Sequence, residues 1–149
     1  MPGVVTPLLT LIHDCDTVAD WTGTPSADST VEWQGNACLA KKVSNATSVV
    51  MLKPITGSVG QPADFTDVQI YVWMQGLKIA QFDTRANGGM RIVVESGTTA
   101  GTWQGVWSVG GSDTYNGGWQ NFSIRTSTPF SSSTSTPPNK QFISRVGVQ

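Results

Sequence analysis

Charge is scarce in this 149-residue chain: nine basic and ten acidic residues leave a formal net charge of −1. There is no basic run and no basic tail, which speaks against nucleic acid as a partner. Solubility must rest on Ser, Thr, Asn and Gln, and so low a charge density suits a protein that packs into a larger assembly. Long hydrophobic runs are missing as well. The most apolar early stretch, "VVTPLLTLI", is short and interrupted by Pro7, so it cannot cross a bilayer. It also lacks the basic start and small-residue cleavage site of a secretory signal. Release by lysis, display on a particle or a separately removed leader would each place the protein outside a cell without one. Histidine occurs once and cysteine twice. Cys15 and Cys38 form neither a CxxC pair nor a Cys-rich metal pattern, so zinc has no support. Their even count allows one disulfide, worth about 3 kcal/mol on a chain-entropy view, and equally allows two free thiols.

No long window carries an apolar stripe at helical spacing; the periodicity is two almost everywhere. "VQIYVWM" puts Val68, Ile70, Val72 and Met74 on one side and Gln69, Tyr71, Trp73 and Gln75 on the other. "MRIVVES" groups Met90, Ile92 and Val94 opposite Arg91, Val93 and Glu95. "WQNFSIR" groups Phe122 and Ile124 opposite Trp119, Asn121 and Ser123. Beta-branched and aromatic residues fill these segments, as a pleated surface favours. "ACLAKKV", "TSVVMLK", "KIAQFDT" and "QFISRVGV" are further strand candidates. Between them lie "GSVGQPADF", "RANGG", "ESGTTAG", "GGSD" and "NGG", all turn material. About eight or more short strands with such turns predict an antiparallel sandwich or jelly roll, with a closed barrel as the architectural rival.

Two regions stand apart. Residues 1–12 read as an N-terminal arm that contacts its own sheet edge or a neighbouring subunit, and residues 13–149 as the β-sandwich domain. Residues 126–139, "TSTPFSSSTSTPPN", form a Ser/Thr/Pro loop whose composition cannot build a core and which is expected to be flexible, with Phe130 as its one apolar anchor. "FISRVGVQ" reads as a strand at which the sequence stops, which fits a fragment of a longer polypeptide.

Catalysis has little to stand on. His13 lies next to Asp14 and close to Cys15, but Asp14 points away from the face that His13 and Cys15 share, and no oxyanion-hole motif follows. Paired carboxylates for sugar hydrolysis would come from Asp64, Asp67, Asp83, Glu95 and Asp113. The aspartates fall at turns and strand ends, and Glu95 shares a strand face with Arg91, where charge pairing explains both. The sequons at Asn45 and Asn121 have no secretory signal to give them meaning.

The aromatic rings are the remaining chemistry. In "TWQGVWSV", Trp103 and Trp107 are expected on one strand face with Gly105 between them. Tyr71, Trp73 and Trp119 fall opposite the aliphatic stripes of their strands. Either a second layer covers these rings, or they form an open platform for sugar rings flanked by the polar groups of Gln69, Gln75, Arg91 and Asn121.

The order of "DCD", "DW", "VEWQGNACLAKKV", "ADFTDVQIYVWM", "GGWQNFSIR" and "FISRVGV" resembles galactose-binding-like and concanavalin-like jelly-roll modules. Such modules occur as carbohydrate-binding domains, and related sandwiches occur in bacteriophage particles as tail, fibre or capsid-decoration proteins. The resemblance implies a calcium held by Asp14 and Asp16 beside the turn "GNACL", where Cys38 takes the usual small-hydroxyl position. It also implies neighbouring first strands that would let Cys38 bond to Cys15. The acid often found in the last strand is missing from "ISRVGV". The expected fold is an all-β, antiparallel jelly-roll sandwich without catalytic activity. The protein would act as a structural or adhesive virion component, in the virion or outside the cell, with other copies of itself or other virion proteins as partners. A carbohydrate-binding module is the alternative, and neither nucleic acid nor membrane is expected as a partner.

Overall fold

The computed structural model describes residues 17–30, 38–41, 50–55, 62–75, 83–99, 101–114 and 118–149. Nine strands follow one another among them: β1 (Ser26–Asp28), β2 (Cys38–Ala40), β3 (Met51–Pro54), β4 (Gln69–Met74), β5 (Met90–Glu95), β6 (Gln104–Gly110), β7 (Gln120–Arg125), β8 (Ser132–Ser133) and β9 (Arg145–Val148). The helical content of these residues is three single 3-10 turns, Val18–Asp20, Arg85–Asn87 and Lys140–Phe142. Every pairing between these strands is antiparallel. They form a five-stranded sheet in the order β3-β9-β5-β6-β8 and two ribbons, β1-β2 and β4-β7. The expected all-β antiparallel class is therefore the observed one.

The β4-β7 ribbon lies against one face of the five-stranded sheet, and this contact is the main core. Alternation builds it. Ile70 and Val72 from β4 and Ile124 from β7 point inward, onto Ile92 and Val94 of β5, Trp107 of β6 and Val146 of β9. The register keeps these groups on one face, because Ile70 opposes Ile124, Ile92 opposes Trp107 and Val94 opposes Val146. Phe65 and Ile143 close one end; Ala63 and Ile143 form an isolated bridge there. The arrangement is sandwich-like. Among the described residues the sheets do not close into a barrel.

The second face of the five-stranded sheet is apolar too. Leu52, Val93 and Val106 form a separate buried cluster on it. This is why β5 reads as nearly unbroken hydrophobic sequence rather than strict alternation: both of its faces are covered. Gly147 of β9 lies opposite both Leu52 and Val93. A β-carbon at that position would overlap the Met51 carbonyl oxygen, so the close approach of β3 to β9 requires glycine.

Within segment 126–139, read from the sequence as a Ser/Thr/Pro loop, residues 131–134 pair along β6 at the edge of the sheet. Thr126 is fully buried; its N–H donates to the Val68 carbonyl at 2.9 Å, and its hydroxyl accepts from the Val68 N–H at 2.9 Å. Ser131 N–H donates to the Val106 carbonyl (2.8 Å) and Thr134 N–H to the Gln104 carbonyl (3.1 Å). Phe130 packs against Trp107, ring centroids 4.8 Å apart, and Lys140 Nζ lies 4.9 Å from the Phe130 centroid. The polar composition thus serves an edge strand, with one aromatic side chain reaching the core.

Residues 1–12, together with His13, Asp14, Cys15 and Asp16, lie outside the described residues, as do most of "KIAQFDT" and the "GNA" of the expected calcium turn. Cys38 is half-buried in β2.

Candidate functional site

The outward face of the β4-β7 ribbon carries the most distinctive exposed chemistry. Inward burial of Ile70, Val72 and Ile124 forces the alternate residues outward. On β4 these are Gln69, Tyr71 and Trp73; on β7 they are Asn121, Ser123 and Arg125, and all six are exposed. Pairing places Tyr71 opposite Ser123, Trp73 opposite Asn121, and Gln69 opposite Arg125. Tyr71 is 55% and Trp73 43% exposed. Two residues apart on one strand, the rings make a short aromatic row with a parallel row of polar side chains beside it.

The polar row is internally organised. Gln69 Nε2 donates to Ser123 Oγ at 3.3 Å. Arg125 Nε and Nη2 donate to the two carboxylate oxygens of Asp67, at 2.7 and 2.8 Å. Those bonds, with a further one from Ser127, hold the Asp67 carboxyl down at about 2. Half-buried Trp119 leads into β7, whose first residue, Gln120, is half-buried as well. Gln75, just past β4, is half-buried, and its Oε1 has no hydrogen-bond partner among the described residues.

The other residues singled out from the sequence lie elsewhere. Trp107 is 4% exposed and belongs to the core, where Gly105 leaves room on its strand face for Phe130. Trp103 does not share that face. It precedes β6 at a positive φ of 51°, a turn conformation that breaks the alternation, and is exposed. Arg91 does not pair with Glu95. Its Nη1 donates to Gln149 Oε1 at 2.9 Å. Glu95 is fully buried and meets Arg145, whose Nη1 lies 3.2 Å from its Oε2. Pairing across β5 and β9 sets Glu95 directly opposite Arg145, a relation that spacing within one strand cannot reveal.

Asp64 accepts from the N–H and hydroxyl of Thr66, bonds that lower its carboxyl below the ordinary range. Asp113 accepts from the Arg85 N–H at 2.8 Å. Among the described residues no group of three or more His, Cys, Asp or Glu could hold a metal ion, and no helix is long and apolar enough to cross a membrane.

No protein-family model, no curated protein and no solved structure matches this chain. Its own residues and their geometry carry the functional reading.

Two features have no signal in the sequence: the Asp67–Arg125 pair on this surface and, away from it, the position of Arg85 against Asp113 and Ser108. Asp67 and Arg125 flank recognisable strands, but only the β4-β7 register brings them together.

Proposed function

We propose that this chain is a jelly-roll-type interaction module that serves as a structural or adhesive component of a bacteriophage-like particle. It works without catalysis, through protein–protein contacts made by the outer face of the β4-β7 ribbon. The supporting observation is the pair of exposed rings, Tyr71 and Trp73, side by side on a face whose reverse side is core. Large aromatic side chains contribute strongly when an interface covers them, and Tyr and Trp keep a polar atom for its rim. The partner is another copy of the chain or another particle protein. Size determination of the native material by light scattering or electron microscopy tests this. A defined assembly that Tyr71→Ala or Trp73→Ala dissociates supports it. A monomer at every concentration, with no partner recovered from particles, sinks it.

Carbohydrate binding is the second reading, and the polar row of Gln69, Asn121 and Ser123 beside the rings favours it. Rings with a few convergent polar groups suit stacking and hydrogen bonding to a sugar. Binding of glycans by a monomer, lost in Trp73→Ala while the fold persists, would decide for this reading over the first.

A further inference from the structure

A cleft of about 380 Å³ opens between β6, β7 and residues 128–131. Arg85, Arg125, Ser108, Ser131 and Thr128 supply its polar wall, and Trp107 and Ile124 its apolar base. A second hollow of about 470 Å³ shares Arg85, Ser108 and Ser131 with it and continues to Asp113 and Thr114. Both are open to solvent.

Arg85 stands between the two and is held in place. Its N–H is bound to Asp113, and its Nε donates to the Ser108 carbonyl at 3.1 Å. Among the described residues no carboxylate lies within ion-pair distance of its guanidinium, and its two Nη atoms have no partner. This is a positioned fork of donors with an unbalanced charge. Across the cleft, Arg125 spends Nε and Nη2 on Asp67 and keeps Nη1. The Ser131 hydroxyl accepts from the Ser108 N–H, which leaves its proton free to donate. The first hollow is thus rich in donors with a surplus positive charge, which suits a planar carboxylate. The second adds the Asp113 carboxylate and the Thr114 hydroxyl, which suit hydroxyl donors and repel a second anion.

We propose that this cleft binds a carboxylate-bearing sugar, a uronic acid unit, with its carboxylate between Arg85 and Arg125 and its ring hydroxyls toward Asp113. The site goes beyond the protein-contact reading of the outer face: it shares Ser123 and Arg125 with that face but adds Arg85, Ser108 and Ser131, and it needs neither Tyr71 nor Trp73.

Isothermal titration calorimetry at low salt tests it with three probes: cellobiouronic acid, cellobiose as the neutral counterpart, and acetate as the bare anion. The expected result is saturable binding of cellobiouronic acid alone, weakened by added salt. Arg85→Gln should weaken it about tenfold. Asp67→Asn should strengthen it several-fold by releasing Arg125, a change of opposite sign that no loss of folding could imitate. Circular dichroism checks both variants, and light scattering should find the assembly state of Arg85→Gln unchanged, which separates this site from the outer face. The proposal is overturned by equal binding of cellobiose or acetate, by no binding of cellobiouronic acid, by an unaffected Arg85→Gln, or by a weaker Asp67→Asn.

Discussion

Arg145 and Glu95 face each other across β9 and β5, with Arg145 Nη1 3.2 Å from Glu95 Oε2. The other oxygen of this fully buried carboxylate accepts from the Gly101 N–H at 2.9 Å and from the Gln104 amide. Arg145 reaches onward to the carbonyls of Gly97 and Thr98, both at 2.9 Å. One ion pair therefore ties the sheet to the turn between β5 and β6. Removing either partner alone, by Glu95→Ala or Arg145→Ala, strands the other charge and should cost about 3–5 kcal/mol. Urea unfolding reads this as a lower midpoint. The double change Glu95→Leu with Arg145→Met should cost less than the two single losses together.

Thr126 replaces a strand partner for Val68. Its hydroxyl accepts from the Val68 N–H and donates to the Val68 carbonyl, in a place with no solvent. Thr126→Val keeps the shape and deletes the hydroxyl, so two backbone groups lose a side-chain partner. A loss of about 1–3 kcal/mol is expected, and Thr126→Ser should recover most of it. Thermal unfolding of the two variants side by side gives the comparison.

Gly147 and Gly105 both lie under close neighbours, but of different kinds. A β-carbon at Gly147 would overlap backbone, the Met51 carbonyl; at Gly105 it would overlap the Phe130 ring. Backbone in a paired strand cannot step aside, whereas a ring can rotate out. Gly147→Ala should therefore be the worse substitution, at or beyond the upper end of the about 1–3 kcal/mol typical of overpacking, and Gly105→Ala the milder. Near-UV circular dichroism should also register displacement of Phe130 from Trp107 in Gly105→Ala.

The Asp67 carboxyl is lowered from 3.8 to about 2, chiefly by the hydrogen bonds from Arg125. The folded state thus holds this carboxylate ionised more firmly than the unfolded chain does. Its stabilising contribution is full above the ordinary carboxylate range and is lost as pH falls through about 2. The pair is exposed and screened, so the effect on overall stability is small. Carboxyl carbon NMR should find Asp67 titrating near 2 in the native chain. In Arg125→Gln the midpoint should move up toward 3.8.

Strand β4 is legible in the sequence because one of its faces is core and the other solvent, and Ile70 and Tyr71 declare this by chemistry alone. Strand β7 is legible for the same reason. Strand β5 is harder: Val93 and Val94 are both buried, and an apolar residue does not say which of two covered faces it joins. Alternation puts Trp103 and Trp107 on one face, but a residue at positive φ ends the alternation here without any glycine at that position to announce it. Arg91 is the basic residue on the strand face of Glu95, yet the charge that reaches the carboxylate comes from β9. The Arg85 cleft has no sequence signature because several separated stretches of chain line it, none with a motif of its own.

The placement of β9 bears on how the protein comes to be folded. It follows the other eight described strands in chain order, yet sits between β3 and β5 and supplies a partner to each. During synthesis those two strands, far apart in the chain, must wait with these edges unpaired until residues 145–148 emerge. A ribosome stalled short of that point would hold a nascent chain without the strand that joins β3 to β5.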